Sequence, residues 1–287
     1  MREGLKTFFH LSRFHIIAIA SLASLTFGWL FSGHYLWLAP ATCALDWFIV
    51  NLQNRVVDLE EDRLNGIAGT DFAGGHARAF TITCFALLAG TLALGHLVEP
   101  RLTLWRVAFQ LIGLAYNFRI LPGRTRFKEL YLLKNLSSGV LFILSTMVYP
   151  AVLSLASPSP LLFAVLVGFF LPLEITYEII YDLRDVAGDR QLRVPTFPVV
   201  HGIPAAHGII WALLATSAAS LAVGAAVGVV GLKEGVLVGG VVQQALYFQL
   251  RIKAEPTAAR CIFVTYLGAA QIGAYHLWIA AGLPISL

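Results

Sequence analysis

The chain predicts an all-α membrane protein, a bundle of about nine transmembrane helices, and three observations predict it. Of its 287 residues, 58% are hydrophobic and 13% charged, where an ordinary soluble domain carries about 25% charged; the mean hydropathy is +0.76. The apolar residues gather in repeated stretches of about twenty, the length an α-helix needs to cross about 30 Å of hydrocarbon. They do not alternate in the short runs of an outer-membrane barrel. Soluble and barrel architectures are thereby excluded, and residues 1–287 read as a single polytopic domain.

The spans follow in order. Residues 14–32 come after a short basic start, but no small-residue cleavage site follows them, so they read as a retained first helix and not a removed leader. Windows of about nineteen residues place helices over 14–32, 36–57, 78–98, 102–118, 135–156, 161–183, 207–231, 235–250 and 260–282. The breaks carry turn chemistry of their own: Ser32-Gly33, Glu99-Pro100, Leu121-Pro122-Gly123, Ser157-Pro158-Ser159-Pro160 and Gly202 through Pro204.

Orientation follows from the basic residues, because Lys and Arg near span ends stay on the cytoplasmic side. Seventeen of the 20 Lys and Arg, Arg2, Lys6 and Arg13 among them, fall on one side of this layout, and only Arg101, Arg106 and Lys233 on the other. The amino terminus is therefore expected in the cytoplasm, and the protein in the cell membrane. The net charge of +4 implies contact with anionic membrane lipid or an anionic substrate; without a soluble basic domain, nucleic acid is not an expected partner. Cys43, Cys84 and Cys261 lie in apolar stretches with no CxxC or Cys/His grouping, which suggests neither disulfides nor zinc.

The 16 acidic residues are not spread over a solvated surface; two clusters hold nine of them. The first runs Asn54-Arg-Val-Val-Asp58-Leu-Glu60-Glu61-Asp62 at the cytoplasmic end of the second span. The second runs from Glu174 through Glu178, Asp182 and Asp185 to Asp189 at the matching end of the sixth. Asn54, Asp58 and Asp62 stand four apart and share one helix face; Glu178, Asp182, Asp185 and Asp189 do the same in steps of four, three and four. Like charges stacked in this way repel, and near hydrocarbon they cost more still, so a cation belongs between the two faces. Hard carboxylate oxygens point to Mg²⁺, which keeps several waters and takes one or two carboxylates together with phosphate oxygens of a substrate. Either cluster alone also reads as an acidic helix end in cytoplasmic water. Two aligned faces at the ends of apolar helices, on the same side, count against that reading for the pair.

The pattern Asn54-x3-Asp58-x3-Asp62 with Asp182-x2-Asp185-x3-Asp189 resembles the two aspartate-rich motifs of the UbiA superfamily of intramembrane prenyltransferases, membrane terpene cyclase relatives included, which is also a nine-helix fold. The likeness extends through Arg190, through Pro195-Thr196-Phe197-Pro198-Val199-Val200-His201-Gly202, and to Lys134-Asn135 at the opening of the fifth span. It implies that Asn54, Asp58, Asp62, Asp182, Asp185 and Asp189 hold Mg²⁺ against a prenyl diphosphate. It also implies that an allylic cation forms when diphosphate leaves and that a lipophilic acceptor takes the isoprenoid chain. The chain departs from the family pattern at Arg55, where Asp is frequent, and at Asn65-Gly-Ile-Ala-Gly-Thr-Asp71, where an Arg-Pro segment is frequent; Arg13 keeps an arginine at the first helix without its proline.

A diphosphate carries several negative charges, so basic groups belong nearby. The densest basic stretch is Arg119, Arg124, Arg126, Lys128 and Lys134 in the fourth connection, and arginine grips phosphate with a fork of donors. Obedience to the positive-inside rule is the competing account of each. The resemblance puts a Lys and a Tyr of this region on the diphosphate, which selects Lys128 and Tyr116, with Arg13, Arg126, Lys134 and Asn135 as further substrate-binding candidates. Tyr149, Tyr177 and Tyr181 could face an allylic cation, or pack the core. Asp46 lies two turns deeper than Asn54 on the same face, where it could orient an acceptor hydroxyl or be tied to a neighbouring helix. A cyclase keeps the same ionisation and traps the cation within its own chain. A transporter would show paired, Gly/Pro-broken helices in two related halves, and no such repeat is found.

Overall fold

The computed structural model describes Phe9, residues 11–155 and residues 157–282; Arg2 and Lys6, counted above, lie outside them. Each predicted window holds a helix among the described residues: α1 (Phe14–Ser32), α2 (Leu38–Val57), α5 (Ala77–Val98), α6 (Thr103–Asn117), α7 (Leu133–Leu153), α8 (Pro160–Gln191), α10 (Ile203–Ala226), α12 (Val238–Tyr247) and α13 (Ala258–Ala280). Short helices α3 (Leu59–Leu64), α4 (Thr70–Gly75), α9 (Phe197–His201) and α11 (Leu232–Gly235) connect them. Six, namely α1, α5, α7, α8, α10 and α13, are long and apolar enough to cross a membrane by length and composition. Helix α2 has the length but carries Asp46, Asn51, Gln53, Asn54 and Arg55, while α6 and α12 are shorter than the windows that foresaw them. The chain forms an all-α membrane-protein bundle.

Helix α8 is the axis of the bundle. It packs along α10, α7, α9 and α13, and its 32 residues run about 48 Å at 1.5 Å per residue, so its last turns project past the apolar part and carry the second acidic motif. Pro172 sits inside it. Serines of α10 approach the same stretch: Ser217 donates to the Phe169 carbonyl at 2.6 Å and Ser220 to that of Val165 at 2.8 Å. Helix α7 is broken by a π turn over Leu144–Val148 immediately before Pro150, as expected where a proline cannot donate its backbone hydrogen bond. The Ser145 carbonyl there accepts from Ser24 of α1 at 3.1 Å, and its hydroxyl accepts from Trp47 of α2 at 3.0 Å.

The fold corrects three sequence assignments. Asp46 is 0% exposed and does not face a substrate: its oxygens accept from Arg106 Nε at 3.0 Å and Nη2 at 2.8 Å, from Gln110 at 3.0 Å and from the Tyr149 hydroxyl at 2.9 Å. Of the two roles open to it, attachment to neighbouring helices is the one this geometry supports. Arg106, counted above as an outward positive residue, is 3% exposed and also donates to the Thr91 carbonyl at 2.7 Å, so its position follows from Asp46 and carries no weight in the positive-inside count. Tyr149 belongs to this network and to the packing of Trp47, Phe109 and Phe142, not to a cation site. The forked pair joins α2 to α6, with α7 and α5 attached.

Breaking one side of a buried pair leaves an uncompensated charge, at about 3–5 kcal/mol. Arg106→Met is therefore expected to lower the midpoint of thermal unfolding in detergent strongly, and the double variant Asp46→Leu/Arg106→Met to recover more than half of the loss. Equal midpoints for the single variant and the unaltered chain would show that the pair does not hold the bundle.

Candidate active site

The two acidic motifs meet at one end of the bundle, on the wall of a cavity of about 540 Å³. Asn54 and Asp58 reach it from the end of α2, Glu61 from α3, and Glu178, Asp182 and Asp185 from α8. The helix ends at Val57 and resumes at Leu59, yet Asp58 N still donates to Asn54 O at 3.0 Å and Asp62 N to Asp58 O at 2.8 Å, which keeps the three motif residues stacked despite the break. The connection after α3 is drawn against the end of α8: a Cβ on Gly188 of α8 would stand 2.1 Å from Asn65 Oδ1.

Basic side chains of the protein lie between the acids. Lys128 Nζ donates to Asp58 Oδ2 at 2.7 Å and to Glu61 Oε2 at 2.6 Å, Arg126 Nη1 to Asp58 Oδ1 at 2.7 Å, and Arg55 Nη1 to Asp62 Oδ2 at 2.7 Å. On the α8 side Lys134 Nζ donates to Asp182 Oδ1 at 2.6 Å and stands 3.6 Å from Asp189 Oδ2; Arg184 Nε donates to Asp185 Oδ1 at 2.7 Å. Burial acts to raise the Asp58 carboxyl, and Lys128 with Arg126 outweigh it, holding the group below the usual carboxylate range. Glu129 is likewise held low, partial burial being overcome by Arg119 and Arg126.

Of the residues singled out in the sequence, Arg13, Asn54, Asp58, Tyr116, Lys128, Lys134, Tyr181, Asp182 and Asp185 line the cavity. Glu61, Glu174, Tyr177 and Glu178 line it too, whereas Asp46, Asp62, Arg126, Asn135, Tyr149 and Asp189 are outside its wall. Asp62 pairs with Arg55, Arg126 with Asp58 and Glu129, and Asn135 donates to Asp182 Oδ2 at 3.0 Å. Asp189 is buried at the root of the motif. Sequence reasoning gave no role to Arg184 or Asn117. The first was hidden among the positive residues at the span ends, although its place between Asp182 and Asp185 was a signal. The second accepts from Asn54 Nδ2 at 3.1 Å and donates to the Val50 carbonyl at 3.2 Å, positioning the motif asparagine. Arg55 is the counter-charge of Asp62.

The donor set fits a hard divalent cation. Asn54 Oδ1 and both carboxylate oxygens of Asp189 are buried without hydrogen-bond partners, and every candidate ligand is an oxygen, as Mg²⁺ prefers. Among the described residues no three His, Cys, Asp or Glu form a ligand group around a single ion. Below the mouth the cavity is mostly apolar, lined by Phe27, Phe142, Phe169, Phe170 and Leu173 among others. Its wall on α13 extends from Ala258 to Tyr275, about 26 Å of helix.

The family profile of the UbiA prenyltransferase family matches residues 14–269. The chain belongs to this family. Solved structures share its fold at low identity. A UbiA homologue from Archaeoglobus fulgidus bound to GPP and Mg²⁺ is 16% identical, with a TM-score of 0.73 and 96% of this chain and 99% of that chain covered. The apo structure of a UbiA homologue from Aeropyrum pernix K1 is 21% identical, at 0.67 over 91% and 96%. A structure concerned with digeranylgeranylglyceryl phosphate synthase in membranes is 18% identical, at 0.62 over 95% of each chain. No curated protein matches the chain in sequence.

Lys128 is buried between two carboxylates. Lys128→Met is expected to destabilise the protein by about 3–5 kcal/mol, seen as a lowered unfolding midpoint in detergent, and Lys128→Arg to retain most of the stability. A neutral Lys128→Met would mean that Arg126 alone holds Asp58.

Proposed function

We propose that the chain is a Mg²⁺-dependent transferase that moves an isoprenoid chain from a prenyl diphosphate to a lipophilic acceptor within the membrane. One observation carries this: a single cavity combines a mouth of paired acids and bases with an apolar body, the shape and polarity of an amphiphile with an anionic head and a hydrocarbon tail. The A. fulgidus homologue of the same family and fold is bound to GPP and Mg²⁺, and another structure to DMAPP and Mg²⁺. The excess of Lys and Arg on the motif side supports a mouth facing the cytoplasm of the cell membrane.

Asn54, Asp58, Asp182, Asp185 and Asp189 are the residues suited to hold Mg²⁺, with Asp62 behind Asp58. When bound, the ion would supply Lewis-acid neutralisation of the leaving diphosphate. Lys128 and Lys134, each now donating to an acid of its own motif, are placed to donate to phosphate oxygens, with Arg13 and Arg184 beside them and Tyr116 on the same wall. Arg126 and Asn135 act through Asp58 and Asp182 as positioning residues. The bond between the allylic carbon and diphosphate oxygen breaks with its electron pair on the oxygen. The apolar wall then keeps water from the cation until the acceptor attacks, and Tyr177 on that wall offers it a ring, whereas the Tyr181 ring is already covered by the Arg184 guanidinium, 5.0 Å from its centroid.

Purified protein with prenyl diphosphates of increasing length and Mg²⁺ tests the reading. Asp58→Ala and Asp185→Ala are each expected to slow diphosphate release by about 10²–10³-fold, the loss seen when one transition-state stabiliser is removed, and chelation of Mg²⁺ to stop it. Unchanged release in both variants would remove the proposed metal site. A cyclic hydrocarbon formed without acceptor would replace transfer by cyclisation.

A further inference from the structure

The apolar body of the cavity has a polar break on α8. Glu178 and Glu174 both line the cavity, one and two turns beyond Asp182, about 6 and 12 Å deeper along the helix. Glu174 is 4% exposed, and its Oε2 has no hydrogen-bond partner. The Ser138 hydroxyl of α7 lies 2.8 Å from Glu178 Oε1 and 3.4 Å from Glu174 Oε1, and its one proton serves one of them at a time. Gly139 lets the helices come this close, since a Cβ there would stand 3.2 Å from Glu174 Oε2 and 2.5 Å from Leu171 Cδ1. Gln271 of α13 lines the same cavity, and its Oε1 is also buried without a partner. A prenyl tail offers no donor to any of these acceptors, and buried acceptors left unmatched are costly.

We propose that Glu174, Glu178, Ser138 and Gln271 form the subsite for the polar head of the acceptor, and that this acceptor carries a hydroxyl or another uncharged hydrogen-bond donor, not a carboxylate or phosphate. The proposal rests on the transferase reading and names its second substrate class. A hydroxyl can donate to Glu174 Oε2 while accepting from Ser138. An anionic head at the same depth would leave water for a low-dielectric wall in which neither Glu174 nor Glu178 is ion-paired with a base, and its charge would go uncompensated. The basic groups at the mouth are not available to offset that cost, because they pair with the motif acids and, on the proposed reading, with diphosphate.

The test uses two probes of matched size, radiolabelled 4-octylphenol and 4-octylbenzoate, bound to the full chain in detergent and measured against empty micelles. The unaltered protein is expected to prefer the phenol by about tenfold or more, as sites built to hydrogen-bond a hydroxyl do. Glu174→Gln, which keeps the side-chain shape, should narrow that ratio severalfold; Ser138→Ala carries the same expectation should the first variant fail to fold. Equal binding of both probes to the unaltered chain, or an unchanged ratio in the folded variants, overturns the subsite. Diphosphate release on the same preparation separates the two readings. A phenol preference lost in Glu174→Gln, with no release from any prenyl diphosphate, keeps the subsite and removes the transferase. Release coupled to a benzoate acceptor in preference to the phenol keeps the transferase and removes the subsite.

Discussion

The structure depends on the repulsion between two sets of carboxylates brought together at the end of apolar helices, and on what neutralises it. On the α2–α3 side the account closes: Asp58, Glu61 and Asp62 are met by Lys128, Arg126 and Arg55. On the α8 side it does not. Lys134 and Arg184 face Asp182, Asp185 and Asp189, while Glu174 and Glu178 have only the Ser138 hydroxyl between them. The residual demand for positive charge or for hydrogen-bond donors therefore falls along α8.

This demand shapes the backbone around the mouth. The connection between α6 and α7 is exposed at Arg119, Ile120 and residues 122–124 but buries Lys128 and leads into Lys134 at the start of α7. Among the described residues, four that are not glycine have positive φ: Arg13 (49°), Arg124 (55°), Leu132 (66°) and Arg193 (57°). Three of them flank an element that feeds the mouth, Arg13 at the start of α1, Leu132 at the start of α7 and Arg193 just past α8, while Arg124 lies in the turn between Leu121 and Thr125. Such conformations cost on the order of 1–3 kcal/mol apiece and persist where surrounding contacts over-determine them. The ion pairs of the mouth are contacts of that kind.

How much of this was legible in the sequence follows from what periodicity can carry. Steps of three and four place residues on one face of a helix, so the alignment of Asn54, Asp58 and Asp62, and of Glu178, Asp182 and Asp185, could be read directly. Periodicity does not say what stands opposite. Asp46 shares the face of Asn54, yet its partner, Arg106, is 60 residues away in another apolar helix. Two isolated opposite charges in apolar spans were the available clue, and counting Arg106 toward membrane orientation concealed it. Arg126 and Asn135 were found as polar groups near the motifs, but a dense basic stretch cannot reveal which members reach the cavity and which brace the acids. The depth of Glu174 was legible from its spacing; that one of its oxygens lacks a partner was not, since it depends on Gly139 and Ser138 of α7.

Because Lys128 and Lys134 are already paired with Asp58 and Asp182 in the free chain, substrate binding at this mouth is an exchange of partners and not a capture by open charges. A diphosphate alone would draw Lys128 and Lys134 away from Asp58 and Asp182 and leave buried carboxylates uncompensated, and a divalent cation alone would strand the lysines in the same way. Either half of the exchange carries the penalty of a broken buried pair, several kcal/mol. Both together cost far less, since each acid and each base leaves one opposite charge for another. On the proposed reading the mouth therefore favours diphosphate and metal arriving as one unit. The same cancellation lets a strongly charged site exist at the end of a hydrophobic bundle without either ligand in place.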